Sequence, residues 1–360
     1  MMTTFTPLPK PRTSFVRPPG SDAAAPAEAR GIERDEVRLL VAEPGAVTHT
    51  TFRNLAAFLS PGDLLVVNNS ATLAAAVDGL RATHGSEQTP ITVHFSTPLD
   101  DDTWVVELRP AGPATGFLPD IRLGERIELA DGAALVVLEG YPDPAVVGGR
   151  LHRVRLAIEG DVSSYLRRHG RPIRYAYVQR TWPLSAYQTV FGIVPGSAEM
   201  ASAARPFSGA LVAQLVATGV QIAPITLHAG VTSADPGEPP TPERFRVPPS
   251  TARIVNDTRA AGGRVIAVGT TPTRALETAA LPDGTVRSLA GWTDLVIGPD
   301  RPARVVNGLI TGWHDAGASH LLLLEAVAGA DLVAAAYRAA VPAGYLWHEF
   351  GDSALFLPSL

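Results

Sequence analysis

The chain changes texture along its length. EVRLLV (36–41) and LLVVN (64–68) are short apolar runs bounded by turn residues, the pattern of buried strands. Between them THTTFRNLAAFL (48–59) sets Phe52, Leu55, Ala56 and Leu59 at helical spacing and predicts a short helix, closed by the turn Ser60-Pro61-Gly62-Asp63. From about 76 to 160 the segments ITVHFS, TWVVELRP, RIELA, AALVVLEGY and LHRVRLAI follow one another, joined by Gly, Pro and Asp turns with no helical stretch between them. That spacing predicts a small antiparallel barrel or sandwich inserted in a larger domain. Beyond 160 helices and strands mix again. SSYLRRHG reads as a helix with Ser163 near its start, and SGALVAQLVATG (208–219) as an amphipathic helix capped at Gly219. VQIAPITLHAG (220–230) is a strand entering a glycine turn, and a further helix runs from near Ser250 to Gly262-Gly263. RVIAVGTT (264–271) is a strand followed at once by the helix PTRALETAA, and LVAAAYRAA (332–340) and ALFL (354–357) are a last helix and strand. The expected fold class is an α/β main domain (34–75 and 161–360) with an inserted small all-β, barrel-like domain (76–160), preceded by a Pro- and Gly-bearing extended arm (1–33).

Composition narrows the class. Of 360 residues, 46% are apolar and 18% charged, enough for a sizeable core, and no apolar run approaches the length of a membrane span. The N-terminus lacks an apolar stretch of signal-peptide type, and there is no cysteine, so disulfides, thiolate metal sites and a Cys nucleophile are excluded. These features point to a cytoplasmic protein with no membrane contact. The net charge of −5 argues against a general polyanion binder and leaves room for a local basic patch. Residues 150 to 180 hold Arg150, Arg153, Arg155, Arg167, Arg168, Arg171, Arg174 and Arg180 against two acids, with Tyr165, Tyr175, Tyr177, Trp182 and Tyr187 in or beside them. Such a stretch is either a surface for phosphates and unpaired bases of an RNA loop or a solvated charged face over ordinary core aromatics.

The best local site is RVIAVGTTPTRALET. A buried strand ends at Gly269, and Thr270 or Thr271 is expected to cap the next helix, with Pro272 in its first turn. Exposed N–H groups there suit a phosphate, carboxylate or ribose hydroxyl, unless the turn is only a capped connection. Neither a Walker loop nor a G-x-G-x-x-G fingerprint is present.

An ordered set of segments then resembles one family. VIAVGTTPTRALE is similar to its strand-GTT-x-x-R-x-LE segment, RDEVRLLV (34–41) to Arg-Asp-x-Ser-Arg-Leu-Leu-Val, and LSPGDLLVVNN (59–69) to Pro-Gly-Asp-Leu-Leu-Val-x-Asn. AYQTVFGIVPGS (186–197), GVQIAPITLHAG (219–230), TDLVIGPDRPARVVNGLITGWH (293–314) and GYLWHEFGDSALFL (344–357) match later segments in order. On these residues the chain resembles the S-adenosylmethionine:tRNA ribosyltransferase-isomerase family of queuosine biosynthesis.

The resemblance implies transfer of the ribosyl part of S-adenosylmethionine, a co-substrate rather than a bound cofactor, to the aminomethyl group of a 7-deazaguanine base in the anticodon loop of tRNA. The ribosyl unit rearranges to an epoxycyclopentanediol, giving epoxyqueuosine, and adenine and methionine leave. A base must remove a proton beside the sulfonium, and no metal is demanded. The implied catalytic candidates are His228, a general base or a ribose ligand unless it is a buried, satisfied histidine, and His314. Implied substrate-binding positions are Asn68, Tyr187, Gln188, Thr189, Gly196, Ser197, Gly230, Thr270, Thr271, Arg274, Glu277 and Asp352. Tyr187 is equally a packed turn residue, and Asp352 equally a turn cap. Arg167, Arg168, Arg171 and Arg174 are the RNA-binding candidates, and a monomer is expected.

Several family positions are replaced. The Asn-Asp-Thr-Arg-Val segment is Asn68-Asn69-Ser70-Ala71-Thr72 here, losing an acid at Asn69 and an arginine at Ala71. The run Ala-Ala-Pro-Thr-Ala-Gly-Leu-His-Phe-Thr is EMASAARPFS (199–208), with Pro206 for histidine, Ser202 for threonine and Arg205 as a candidate replacement cation. Of Met-His-x-Glu only Glu243 survives, with Thr241 for histidine; Tyr-Arg-Phe is Tyr345-Leu346-Trp347, and Thr-Asn-Phe-His is Thr311-Gly312-Trp313-His314. A related enzyme that uses S-adenosylmethionine or a nucleoside with another acceptor, or a non-catalytic RNA- or nucleoside-binding paralogue, is therefore the alternative.

Overall fold

The computed structural model describes residues 8–82, 88–112, 116–146, 148–231 and 239–359; residues 1–7 of the expected arm lie outside them. Its backbone is a mixed nine-stranded sheet whose order is Leu289–Thr293, Glu243–Val247, Gln221–Leu227, Leu64–Asn68, Val265–Val268, Gly308–Thr311, Ser353–Phe356, Arg38–Glu43 and Ala46–Thr51. Alternation of side chains divides each central strand between two cores. Leu64, Val66, Val265, Ala267 and Leu309 face one core with Val255, Leu276, Leu324 and Tyr337 of the helices. Leu65, Val67, Ile266, Val268 and Ile310 face the other, against Leu211 and Leu215 of helix Gly209–Ala217 and Phe52 and Leu55. Strands buried on both faces read as unbroken apolar runs, which is why LLVVN and VIAV are so legible.

Six strands form a second sheet closed into a barrel: Leu151–Ala157, Trp104–Pro110, Gln88–Pro98, Ala76–Ala82, Arg126–Leu129 and Ala134–Tyr141, all paired antiparallel. Val77, Val93, Phe95, Val106, Ile127, Leu135 and Val154 fill its interior. Close approach ties it to the main sheet: a Cβ on Gly230 would sit 2.7 Å from Ser96 Oγ and 3.0 Å from Thr97 Oγ1.

One local expectation is corrected: residues 48–51 extend a strand, Ala46–Thr51, paired with Arg38–Glu43, and only Phe52–Phe58 turns, as a 3-10 helix. Helix Val162–His169 has Ser163 in its first turn as expected, and Asp161, whose carboxylate accepts from Ser163 N and Ser164 N, caps it. A helix at Ser319–Ala328 was not anticipated; SHLLLLEAVA is apolar on nearly every side and carries no clear helical period. The arm lies against the C-terminal helices: Thr13 N donates to Glu325 at 2.6 Å, and Phe15 stacks near Tyr337 and Trp347. Among the described residues no single helix is long and apolar enough to cross a membrane.

Candidate active site at the C-terminal edge of the sheet

Four neighbouring strands, Gln221–Leu227, Leu64–Asn68, Val265–Val268 and Gly308–Thr311, run parallel, so their C-terminal ends line one edge. Open parallel sheets bind ligands outside such ends. His228 follows the first strand, Asn68 ends the second, Gly269-Thr270-Thr271 follows the third, and His314 lies just past the fourth. Three inter-strand steps of roughly 4.8 Å set the first and fourth strand ends on the order of 14 Å apart.

At the His228 end, three side chains form a hydrogen-bonded row. His228 Nδ1 is 2.7 Å from Ser70 Oγ, which is 2.6 Å from Ser197 Oγ. Ser197 Oγ also accepts from Ala229 N at 3.0 Å. A Cβ on Gly196 would overlap the imidazole, so that glycine lets the ring lie on its backbone. Burial lowers the His228 pKa and keeps the ring neutral at neutral pH. In the tautomer that donates Nδ1–H to Ser70 Oγ, the lone pair sits on Nε2, the arrangement a general base requires.

The GTT turn is built differently from its expected form. Gly269, at φ 104°, is itself the N-cap, a left-handed conformation that favours glycine, and helix Thr270–Ala279 begins with both threonines. Neither threonine side chain caps; Thr271 Oγ1 instead accepts from Asn68 Nδ2 at 3.2 Å.

At the far end, His314 Nε2 lies 3.0 Å from Thr311 Oγ1, and its ring stacks on His320 with centroids 4.5 Å apart and planes 2° from parallel. Burial, then the neighbouring His320, drives the His314 pKa well below its usual value. Burial and the charge of Arg274 push His320 down to about 4, so both rings are neutral at pH 7.

Several expected ligands have their polar atoms occupied by the protein. Asn68, fully buried, donates to Leu227 O and accepts from Ser70 N and Leu227 N. Gln188 pairs both ends of its amide with the Thr72 backbone, at 3.1 and 2.8 Å. Arg274 donates to Leu295 O and Thr293 O and pairs with Glu243, which also accepts from Gly230 N. The Glu277 carboxylate accepts from the N–H groups of Arg304, Val305 and Val306 and from Arg301. Asp352 accepts from Arg38 N and Leu346 N at 2.9 and 2.8 Å, the turn-holding alternative. Arg205 is likewise committed, to Glu28 and Ala186 O, and is 3% exposed, so it is no replacement cation for the edge. Tyr187 and Thr189 differ: both are buried, and their hydroxyls have no hydrogen-bond partner among the described residues.

The arginine-rich stretch separates into two kinds. Arg150, Arg153 and Arg171 pair with Glu107, with Asp101 and Glu139, and with Asp78. Arg174 donates to Val178 O, whereas Arg167 and Arg168 are exposed on the last turn of their helix. Tyr165 and Tyr187 are core residues and offer no face to a base. Among the described residues no group of three His, Asp or Glu is arranged to hold a metal ion.

Residues 12–356 match the family described as Queuosine biosynthesis protein. The chain belongs to this family. The S-adenosylmethionine:tRNA ribosyltransferase-isomerase of Symbiobacterium thermophilum is 37% identical over 335 residues, covering 90% of this chain and 94% of the relative. The enzyme of the same name from Moorella thermoacetica is 34% identical over 355 residues, covering 94% and 97%. Among solved structures, the S-adenosylmethionine tRNA ribosyltransferase of Thermotoga maritima is similar, with 27% identity, a TM-score of 0.51 and coverage of 96% of this chain and 99% of that one.

Within this member the geometry adds residues that sequence reasoning passed over. Ser70 orients His228, and its only signal was a hydroxyl two residues past a strand-end Asn. His320 joins the edge through a tertiary contact that leaves no local pattern.

Proposed function

We propose that this protein transfers and isomerises the ribosyl moiety of S-adenosylmethionine onto a 7-aminomethyl-7-deazaguanine base in the anticodon loop of tRNA, giving epoxyqueuosine. The observation that carries the reading is the neutral His228, held by Ser70 and Ser197 at the C-terminal edge of the parallel strands in a chain of this family. His228 is the proton acceptor beside the sulfonium. His314 and the Thr270-Thr271 helix start serve the nucleoside at the other end of the edge. The saturated side chains Asn68, Gln188, Arg274, Glu277 and Asp352 hold the strand ends in register around the substrate, and Gly196, Ser197 and Gly230 bring the backbone close to it. Tyr187 and Thr189 are the direct polar contacts. Arg167 and Arg168 meet tRNA phosphates, with Arg171 and Arg174 in the same basic stretch. We read residues 76–160 as an inserted barrel domain, residues 34–75 and 161–360 as the main domain and 1–33 as an arm, in a cytoplasmic monomer with no bound cofactor.

The replaced positions Asn69, Ala71, Pro206, Thr241 and Leu346 favour a second reading: an enzyme using S-adenosylmethionine or a nucleoside with another acceptor, or a non-catalytic binding paralogue. One assay separates them. Purified protein is incubated with S-adenosylmethionine, with and without tRNA carrying the deazaguanine base. Adenine release only with that tRNA supports the first reading, and release without tRNA the enzyme of other specificity. Saturable binding with no release points to the paralogue.

A further inference from the structure

Where the barrel meets the segment that follows helix Val162–His169 there is a cavity of about 40 Å³, lined by Thr92, His94 and Arg109 of the barrel and by Arg171, Arg174 and Tyr175. One water needs roughly 10–15 Å³, so the space admits a larger group. Its wall is fixed by backbone. Arg171 N donates to Ala76 O and Ala76 N to Arg171 O, each at 2.9 Å, which pins the start of the segment 171–176 to barrel strand Ala76–Ala82. Gly170 permits the approach, since a Cβ there would collide with Ala74 O.

Three guanidinium groups meet at this cavity, each anchored through one terminal nitrogen. Arg109 Nη1 donates to Glu107 Oε2 at 2.8 Å, and Arg174 Nη1 to Val178 O at 3.0 Å. Arg171 Nη2 donates to Asp78 Oδ1 at 2.6 Å and to Thr92 Oγ1 at 3.4 Å. Their other side-chain nitrogens make no hydrogen bond among the described residues. The acids do not balance the three charges. Glu107 is shared between Arg109 and Arg150, Asp78 is 73% exposed and screened by water, and Arg174 has no ion pair among the described residues. Burial lowers the His94 pKa against the pull of Glu107, and the charges of Arg109 and Arg171 lower it further, so both guanidinium groups lie near that ring. Tyr175 contributes its ring, since its hydroxyl is donated to Glu199. Like charges gathered round one space repel unless an anion fills it. Guanidinium forks pair with oxyanions through parallel N–H···O bonds, and three of them from two chain segments suit a tetrahedral anion better than a flat carboxylate.

We propose that this cavity binds a single phosphate group, with Arg109, Arg171 and Arg174 donating to its oxygens. Resting on the function proposed above, that group is one backbone phosphate of the RNA, taken between the barrel and the segment 171–176. The barrel then holds the nucleic acid itself, through Arg109, which lies outside the arginine-rich stretch 150–180. One phosphate is fixed in position there, whereas exposed arginines such as Arg167 and Arg168 attract the backbone without selecting a linkage.

The test reads phosphate binding in two arms and does not depend on turnover. In the first, an anticodon stem-loop RNA is made as a series in which one linkage at a time is a neutral methylphosphonate, and its affinity for the full chain is measured across a salt series. One linkage should cost the wild type about tenfold or more in affinity. The same linkage should cost Arg109→Ala and Arg174→Ala little, because its partner charge is already gone, and each variant should lower the salt slope by about one. In the second arm, inorganic phosphate is compared with chloride at equal ionic strength by thermal melting, and phosphate should stabilise the wild type and neither variant. A response to inorganic phosphate with no sensitive linkage would keep the cavity as a phosphate site and remove it from RNA. No response in either arm, or variants that respond as the wild type does, would overturn the proposal. Should Arg109→Ala not fold because Glu107 loses a partner, Arg174→Ala, which breaks no ion pair, still decides it. Adenine release with tRNA by a protein that fails both arms would keep the proposed reaction and remove this site, so the two readings fail separately.

Discussion

The strand edge and the aromatic cluster of Tyr177, Tyr187 and Phe350 use buried polar side chains in opposite ways. Along the edge, Asn68, Gln188, Arg274, Glu277 and Asp352 have their polar atoms bonded to backbone or to a neighbouring charge. In the cluster, the Tyr187 hydroxyl has no hydrogen-bond partner among the described residues, and the buried Glu349 carboxylate accepts from Tyr177 Oη. Buried groups that are fully paired stabilise and orient; buried groups that are not are positioned for something else. Residue type alone therefore does not mark a ligand contact. Arg274 and Glu277 carry charge at the right edge and have it met within the protein, whereas a tyrosine hydroxyl nearby has no partner among the described residues.

The contrast can be broken at several points. The largest effect is expected at His228, where His228→Ala should lower adenine release by about 10²–10⁴-fold at unchanged affinity for S-adenosylmethionine, checked by single-turnover kinetics. Because burial depresses the His228 pKa below 6.5, the wild-type rate should fall only as pH drops below that value, when protonation consumes the lone pair. A variant that keeps the same acidic limb would remove His228 from the role. Next, Arg274→Met leaves Glu243 buried without its cation and should cost about 3–5 kcal/mol in denaturant unfolding. A small loss of stability together with a large loss of S-adenosylmethionine affinity would make Arg274 a ligand and erase the distinction between edge and cluster.

A third effect concerns Glu349. Its carboxyl pKa is raised from 4.5 to about 7 in the folded protein, so the native state holds a proton that the unfolded chain has already released between those values. Stability from this group is full below pH 4.5 and is lost as pH rises toward 7, with a slope of at most about 1.4 kcal/mol per pH unit. Melting temperatures of the wild type and Glu349→Gln should therefore diverge across that window and run parallel above it. The smallest effect is expected for Arg167→Ala and Arg168→Ala. Each should weaken tRNA binding by about 0.5–1 kcal/mol and lower the salt slope by roughly one, measured by filter binding across a salt series. An unchanged slope would assign these residues to solvent.

Much of the fold was legible because the central strands are buried on both faces, which writes them as unbroken apolar runs. Helical spacing at 48–59 misled, since Phe52 and Leu55 also reach the core from a 3-10 turn that follows a strand. Helix Ser319–Ala328 escaped because a segment buried nearly all round has no amphipathic signal. At the site, His228, the GTT turn and His314 were visible as polar residues just past apolar runs. Their partners were not. Glu243 meets Arg274, Tyr175 meets Glu199 and Tyr177 meets Glu349 across sequence separations of 31, 24 and 172 residues. No period links such positions, and only the tertiary fold brings them together.

Gly196 has a consequence of its own. The hydrogen bond to Ser70 settles which imidazole nitrogen is engaged, but the plane of the ring is fixed by a carbon that is missing, because any β-carbon at 196 would occupy the space of Nδ1 and Cε1. A lost hydrogen-bond partner can be replaced from another direction by a different polar residue; a lost vacancy cannot. In a lineage that keeps His228, therefore, the glycine and the histidine have to be inherited as one unit, and a change at either is a change at both.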